Sequence, residues 1–196
     1  AASDVYKRQP GKAADGAKAL IDELHSALDP KAYRKAVALL AESEFIDIFG
    51  VENSLTPAMD LFTKLGYLGL TCRLNTDAYL QQIGAGHLPH GAVAVAFSHS
   101  GSSADTVKAL RLAKSHGAKT IAITNAIGAP LASWADVTLL TGRDSHTIYG
   151  NAIFSRVADT ALVDMLYMGV ILSGYGRFST ALDESGRMIR DRVFEN

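Results

Sequence analysis

The chain has 196 residues, enough for one substantial core and short enough to make a single domain the natural expectation. Its 19 lysines and arginines nearly cancel 20 acids, leaving a formal charge of −1 and no basic cluster of the kind a nucleic-acid backbone requires. The hydrophobic residues make up 48% of the chain without a run long enough to cross a bilayer or a secretory leader, so the composition reads as soluble and cytoplasmic with no membrane partner. The one cysteine, Cys72, has no partner for an internal disulfide or a metal knuckle and reads as a small packed residue.

Residues 1–15 show no clear periodicity and are expected to be a leader, disordered or foreign to the fold. One domain is expected over residues 16–196, opened by two amphipathic helices within 16–44. Ala17, Leu20, Ile21, Leu24 and Leu28 share one face of the first, and Tyr33, Ala36, Val37 and Leu40 one face of the second. Asp29 can cap the second helix, with Pro30 in its first turn.

Beyond Glu44 the pattern changes to short branched runs separated by helix-length segments. Phe45 to Val51, Leu70 to Asn75, Ala92 to Phe97, Thr120 to Thr124 and Val137 to Thr141 are five candidate strands. Continuous apolar runs with crossover-length connections predict a doubly wound α/β fold with a parallel sheet, and 2-1-3-4-5 is the strand order taken for it as one of the common orders of such folds. A long apolar helix is expected from about Ile153 to Leu172, then a polar tail from Tyr175 that can form one more helix. The first of these has apolar residues on nearly all sides and points to self-association as a homodimer or homotetramer, with burial inside one chain as the alternative.

In such a sheet, ligands bind beyond the carboxyl ends of the strands where the winding reverses. The loops expected there are Gly50-Val51-Glu52-Asn53-Ser54 and Ser98-His99-Ser100-Gly101-Ser102-Ser103. The second loop precedes a helix running roughly from Ser103 to His116, and its four serines and one glycine suit an anion. Unpaired amides and the positive helix end attract a phosphate, hydroxyls add donors, and Gly101 lets the backbone approach. The competing reading is a plain helix start, with Ser102 and Asp105 at capping-box spacing.

The run Ser98 to Thr106 resembles the phosphosugar loop of SIS (sugar isomerase) domains, and Gly50 to Ser54 resembles their glycine-x-glycine-x-serine loop. Ile121 to Asn125, Pro130-Leu131-Ala132 and Ala135-Asp136 are similar to the fourth and fifth strand region. Ser155-Arg156-Val157-Ala158 through Asp164 resembles the final helix of RpiR/MurR-type transcriptional regulators. In that family a helix-turn-helix domain precedes a sensor that binds a sugar phosphate and alters how the oligomer holds DNA; the 196 residues contain no such DNA-binding half. The resemblance implies ligand contacts at Ser54, Ser98, Ser100 and Ser103, with His99, Gly101 and Ser102 supporting the loop and Glu52 and Asn53 beside the ligand. It departs at Glu52, which stands where the second glycine is common. Its carboxylate either faces solvent or meets sugar hydroxyls or an amino sugar's nitrogen.

An aldose-ketose isomerase of this family carries a glutamate near the start of the last large helix, and Gly150 to Arg156 contains no acid. Asp159 is expected on that helix's surface, and Asp164, among apolar neighbours in sequence, as a structural hydrogen-bond partner. His99 and His146 are loop histidines without an acidic partner in view, and His87 and His90 belong to the opposite end of the sheet. Neither a cofactor nor a metal is expected. A phosphosugar-responsive regulator domain therefore ranks first, ahead of a phosphosugar isomerase and a structural dimerisation module.

Overall fold

The computed structural model describes residues 2–143 and 155–190. Five parallel strands form one sheet in the order β2-β1-β3-β4-β5, from β1 (Ile46–Phe49), β2 (Cys72–Leu74), β3 (Val93–Phe97), β4 (Lys119–Thr124) and β5 (Val137–Leu140). This is the predicted order. The helices are α1 (Ala2–Ala27), α2 (Pro30–Glu42), α3 (Leu55–Tyr67), α4 (Ala78–Ala85), α5 (Ala104–Ser115), α6 (Val157–Ser173) and α7 (Tyr175–Met188).

Side chains alternate across a pleated strand, and here the two faces differ in bulk. Ile46, Ile48, Val93, Val95, Phe97, Ile121, Ile123, Val137 and Leu139 point to one side and pack with α2, α3 and α6. Ala94, Ala96 and Ala122 point to the other, where their small size lets α5 lie close through Ala109, Leu110 and Ala113. Asp47 also lies on β1, only 1% exposed, paired in register with Arg73 of β2 and joined to it by two hydrogen bonds of 3.1 and 2.7 Å. A buried carboxylate needs such a partner.

The two opening helices are built into the core. Leu24 of α1 and Ala36 and Leu40 of α2 are fully buried, and Asp29 caps α2 by accepting from the amides of Lys31 and Ala32. Gly169 of α6 lies against Tyr33 and Val37, and the Tyr33 hydroxyl donates to the Met165 carbonyl at 2.7 Å. Any side chain at 169 would push these two helices apart.

Helix α1 reaches back to Ala2, through the stretch expected to be an unstructured leader. Residues 9–16 are all exposed, so this turn-by-turn helix has no apolar face for a sequence pattern to reveal. Helix α6 owes its apolar sides largely to burial in the same chain, since it packs against α1, α2, α3 and α7 while Met168 and Leu172 stay exposed. Burial within one chain, the alternative to self-association, thus accounts for most of that helix's apolar surface. Among the described residues no single helix is long and apolar enough to cross a membrane.

Candidate functional site

The loops after β1 and β3 emerge side by side at the carboxyl edge of the sheet, where β1 and β3 are neighbours and the winding reverses. After β1 the chain passes Gly50 and Val51 into a short 3-10 turn, Glu52–Ser54. Gln81, 1% exposed on α4, clamps this loop: its Oε1 accepts from the Gly50 amide at 3.2 Å, and its Nε2 donates to the Gly50 carbonyl at 2.7 Å and the Asn75 carbonyl at 2.8 Å. Gly50 is a glycine because the Ser54 carbonyl closes to 3.0 Å of where a Cβ would stand. Glu52 adopts φ 51°, a left-handed conformation that side chains disfavour. Ser54 is buried and caps α3 without a side-chain hydrogen bond, which leaves its hydroxyl for other work.

After β3 the Ser98 amide donates to the Ile123 carbonyl, extending the sheet by one residue into the loop. The Gly101 amide donates back to Ser98, and the Gly101 carbonyl accepts from Leu131, which ties the loop to the segment after β4. Thr124 Oγ1 and the Asn125 amide both donate to the His99 carbonyl, at 3.1 and 3.0 Å. Gly101 has φ 61°, and a Cβ there would overlap Ala129 and Thr124. Backbone pairing on both sides thus fixes the loop.

The capping-box reading fails on this geometry. The residue that caps α5 is Ser103, not Ser102, and it makes no side-chain capping bond. Ser102 turns back on the loop, with its amide donating to Ser100 Oγ and its hydroxyl to the Ser100 carbonyl. Asp105 instead accepts from Gln82 Nε2 of α4 at 3.1 Å. No serine side chain therefore occupies the first-turn amides of α5, and their partial positive charge faces the crevice.

Between the loops lies a cavity of about 420 Å³, lined by Val51, Glu52, Asn53, Ser54, Ser98, His99, Ser100, Ser103, Asp105 and Arg156. That volume suits a small ligand. Seven of the nine residues singled out from the sequence line it together; Gly101 and Ser102 do not, and shape the loop from behind. Glu52 and Asp105 are exposed at the rim, so water screens their charges.

Arg156, at the head of α6, was missed by the sequence search, which looked there for an acid. It is the one lysine or arginine among the described lining residues, and its Nε and Nη1 are shielded from solvent with no hydrogen-bond partner among the described residues. Asp159, expected on the surface, is 5% exposed. Burial pushes its carboxyl up to about 6, against the opposing pull of the Arg156 charge and a hydrogen bond with Thr141. Asp164 is exposed and accepts a hydrogen bond from Lys64 Nζ of α3, in keeping with the structural partner expected of it.

His87 and His90 are exposed, and His146 and most of the stretch from Gly150 to Arg156 lie outside the described residues. The Cys72 thiol is pushed up to about 12 by burial, which suits a packed residue and not a nucleophile. No group of three or more histidine, cysteine or acidic side chains among the described residues could hold a metal.

A family model described as the SIS domain matches residues 39–169. The chain belongs to the SIS domain family. Within it, the chain is 30% identical over 185 residues to an uncharacterised HTH-type transcriptional regulator of Caldanaerobacter subterraneus subsp. tengcongensis, covering 94% of this chain and 66% of that protein. It is 28% identical over 192 residues to the HTH-type transcriptional regulator HexR of Escherichia coli, covering 98% of this chain and 66% of HexR. This SIS chain thus spans about two thirds of the length of these curated relatives. Among solved structures, the Vibrio vulnificus NanR protein complexed with ManNAc-6P superposes with a TM-score of 0.89 at 23% identity, over 99% of this chain and 74% of that one. The sugar isomerase domain of an RpiR transcription factor from Sphaerobacter thermophilus gives 0.83 at 22% identity, over 92% and 99%. At those identities the likeness is one of fold.

Proposed function

We propose that this SIS domain is the phosphosugar-sensing part of an RpiR-type transcriptional regulator, cytoplasmic and oligomeric, with DNA held by a helix-turn-helix segment outside these 196 residues. The observation that carries the reading is the cavity at the carboxyl edge of the sheet, where the hydroxyl-bearing residues Ser54, Ser98, Ser100 and Ser103 converge on the uncapped start of α5. A phosphate dianion there replaces its hydration shell with hydroxyl and amide donors already held in place, so little ordering is needed on binding. Helix α6 extends from the cavity to its packing against α1 and α2, and is the element through which occupancy would reach the segment in front of them.

The regulators among the relatives and the bound phosphosugar in the NanR structure support this assignment. Calorimetric titration with a panel of hexose and pentose phosphates tests it. Because hydrogen bonds to a charged group contribute about 1.5–3 kcal/mol each, Ser98→Ala combined with Ser100→Ala is expected to weaken a bound sugar phosphate by about 100-fold or more. Undiminished affinity in that variant overturns the reading. Aldose-ketose equilibration of the bound sugar would move the assignment to an isomerase.

A further inference from the structure

On the reading proposed above the serine loop takes the phosphate, and a guanidinium lines the same cavity from a different element. Arg156 belongs to the head of α6, whereas the hydroxyls come from the loops after β1 and β3. Its Nε and Nη1 are shut off from water and have no hydrogen-bond partner among the described residues. A guanidinium desolvated in this way is costly unless an anion answers it. Asp159, one turn along α6, attracts the guanidinium; burial pushes its carboxyl up to about 6, so it is ionised at neutral pH, yet it gives Nε and Nη1 no hydrogen bond. The two other acids at the cavity are poorly placed to compete. Glu52 and Asp105 are exposed at the rim, and Asp105 is engaged by Gln82. A neutral sugar hydroxyl would offer the Arg156 nitrogens only an uncharged acceptor, a weaker partner than a carboxylate.

Resting on the phosphosugar reading of this cavity, we infer that its ligand is a phosphorylated sugar acid, whose carboxylate, at the end away from the phosphate, is received by Arg156. The carboxylate restores to the guanidinium the charge-assisted hydrogen bonds that burial removes. Selectivity for the acid over the corresponding alcohol then comes from one residue, while affinity for the phosphate comes from the serine loop.

A matched pair of probes tests this: 6-phosphogluconate and glucitol 6-phosphate differ only at C1, a carboxylate in one and a hydroxymethyl in the other. Titrated into the wild-type chain, 6-phosphogluconate is expected to bind at least about tenfold more tightly. Arg156→Gln is expected to remove that preference, and Arg156→Lys to restore part of it. Equal binding of the two probes by the wild-type chain overturns the inference, and this comparison decides the matter even where Arg156→Gln does not fold. Equal weakening of both probes by Arg156→Gln also overturns it, because the guanidinium would then serve the phosphate. Either result leaves the phosphosugar reading intact. By contrast, if Ser98→Ala with Ser100→Ala spares both probes, or if neither binds, that reading fails and the inference with it.

Discussion

Both loops at the crevice turn once through the left-handed region, the loop after β3 at Gly101 with φ 61° and the loop after β1 at Glu52 with φ 51°. At Gly101 the conformation and the surroundings impose the same requirement, since Ala129 and Thr124 fill the space where a side chain would begin. At Glu52 the side chain points into open surroundings and only the torsion is unfavourable. The loop after β3 is therefore specified by its own sequence. The loop after β1 is held by something else, and the clamp from Gln81 onto Gly50 is the evident agent.

The largest effect should come from the position where both constraints meet. Gly101→Ala combines a left-handed alanine, about 1–2 kcal/mol, with overpacking against Thr124 and Ala129, about 1–3 kcal/mol more. A loss of about 3 kcal/mol corresponds to a fall of about 10 °C in Tm for a domain of this size. Phosphate affinity should fall with it, because the strain can be relieved only by moving Ser100 and Ser102 away from the start of α5. A wild-type melting curve for this variant would mean that the loop is not pinned as described.

Next comes the clamp. Gln81→Leu removes three hydrogen bonds at once and leaves the amide and carbonyl of Gly50, both buried, without partners. At about 1 kcal/mol or more for each stranded group, a loss of at least about 2 kcal/mol is expected in denaturant unfolding. The comparison predicts that its functional consequence is one-sided. Substituting Gln81 should disturb Ser54 and spare the Ser98–Ser103 segment, so that hydrogen-exchange protection drops after β1 and holds after β3. Equal loss in both loops would show that the two are not independently supported.

These two positions also mark how far the sequence could be read. Branched runs such as Val93–Phe97 and Lys119–Thr124 declare buried strands through composition, and the crossover-length segments between them declare parallel pairing; the order was taken from the common doubly wound pattern, and with it the crevice and both loops were legible. Gln81 was not, because a glutamine inside a short helix says nothing about the backbone it meets 31 positions earlier. Arg156 escaped for a related reason: an arginine heading an apolar helix reads as a solvated end until the strands bring that end to the cavity. The start of α5 was misjudged by one residue, since the spacing to Asp105 favours Ser102 as the cap, whereas in the fold Ser102 turns back onto Ser100 and Ser103 takes the cap position. Asp159 was taken for a surface residue because its neighbours in sequence do not reveal which side of α6 faces the end of β5.

The smallest expected effect is the most direct test of the contrast between the loops. Glu52→Gly relieves a left-handed side-chain conformation worth about 1–2 kcal/mol but adds backbone freedom to the unfolded chain, which costs about 0.5–1 kcal/mol, so a net gain of about 0.5–1 kcal/mol is expected. An ordinary exposed helix position gives the opposite sign: Lys108→Gly in α5 should lose about 1 kcal/mol, because there the glycine penalty has nothing to offset it. Chemical denaturation of the two variants beside the parent resolves a difference of this size. If Glu52→Gly loses as much as Lys108→Gly, the glutamate must be making a compensating interaction in the loop, and the picture of a strained residue held in place by the Gln81 clamp has to be abandoned.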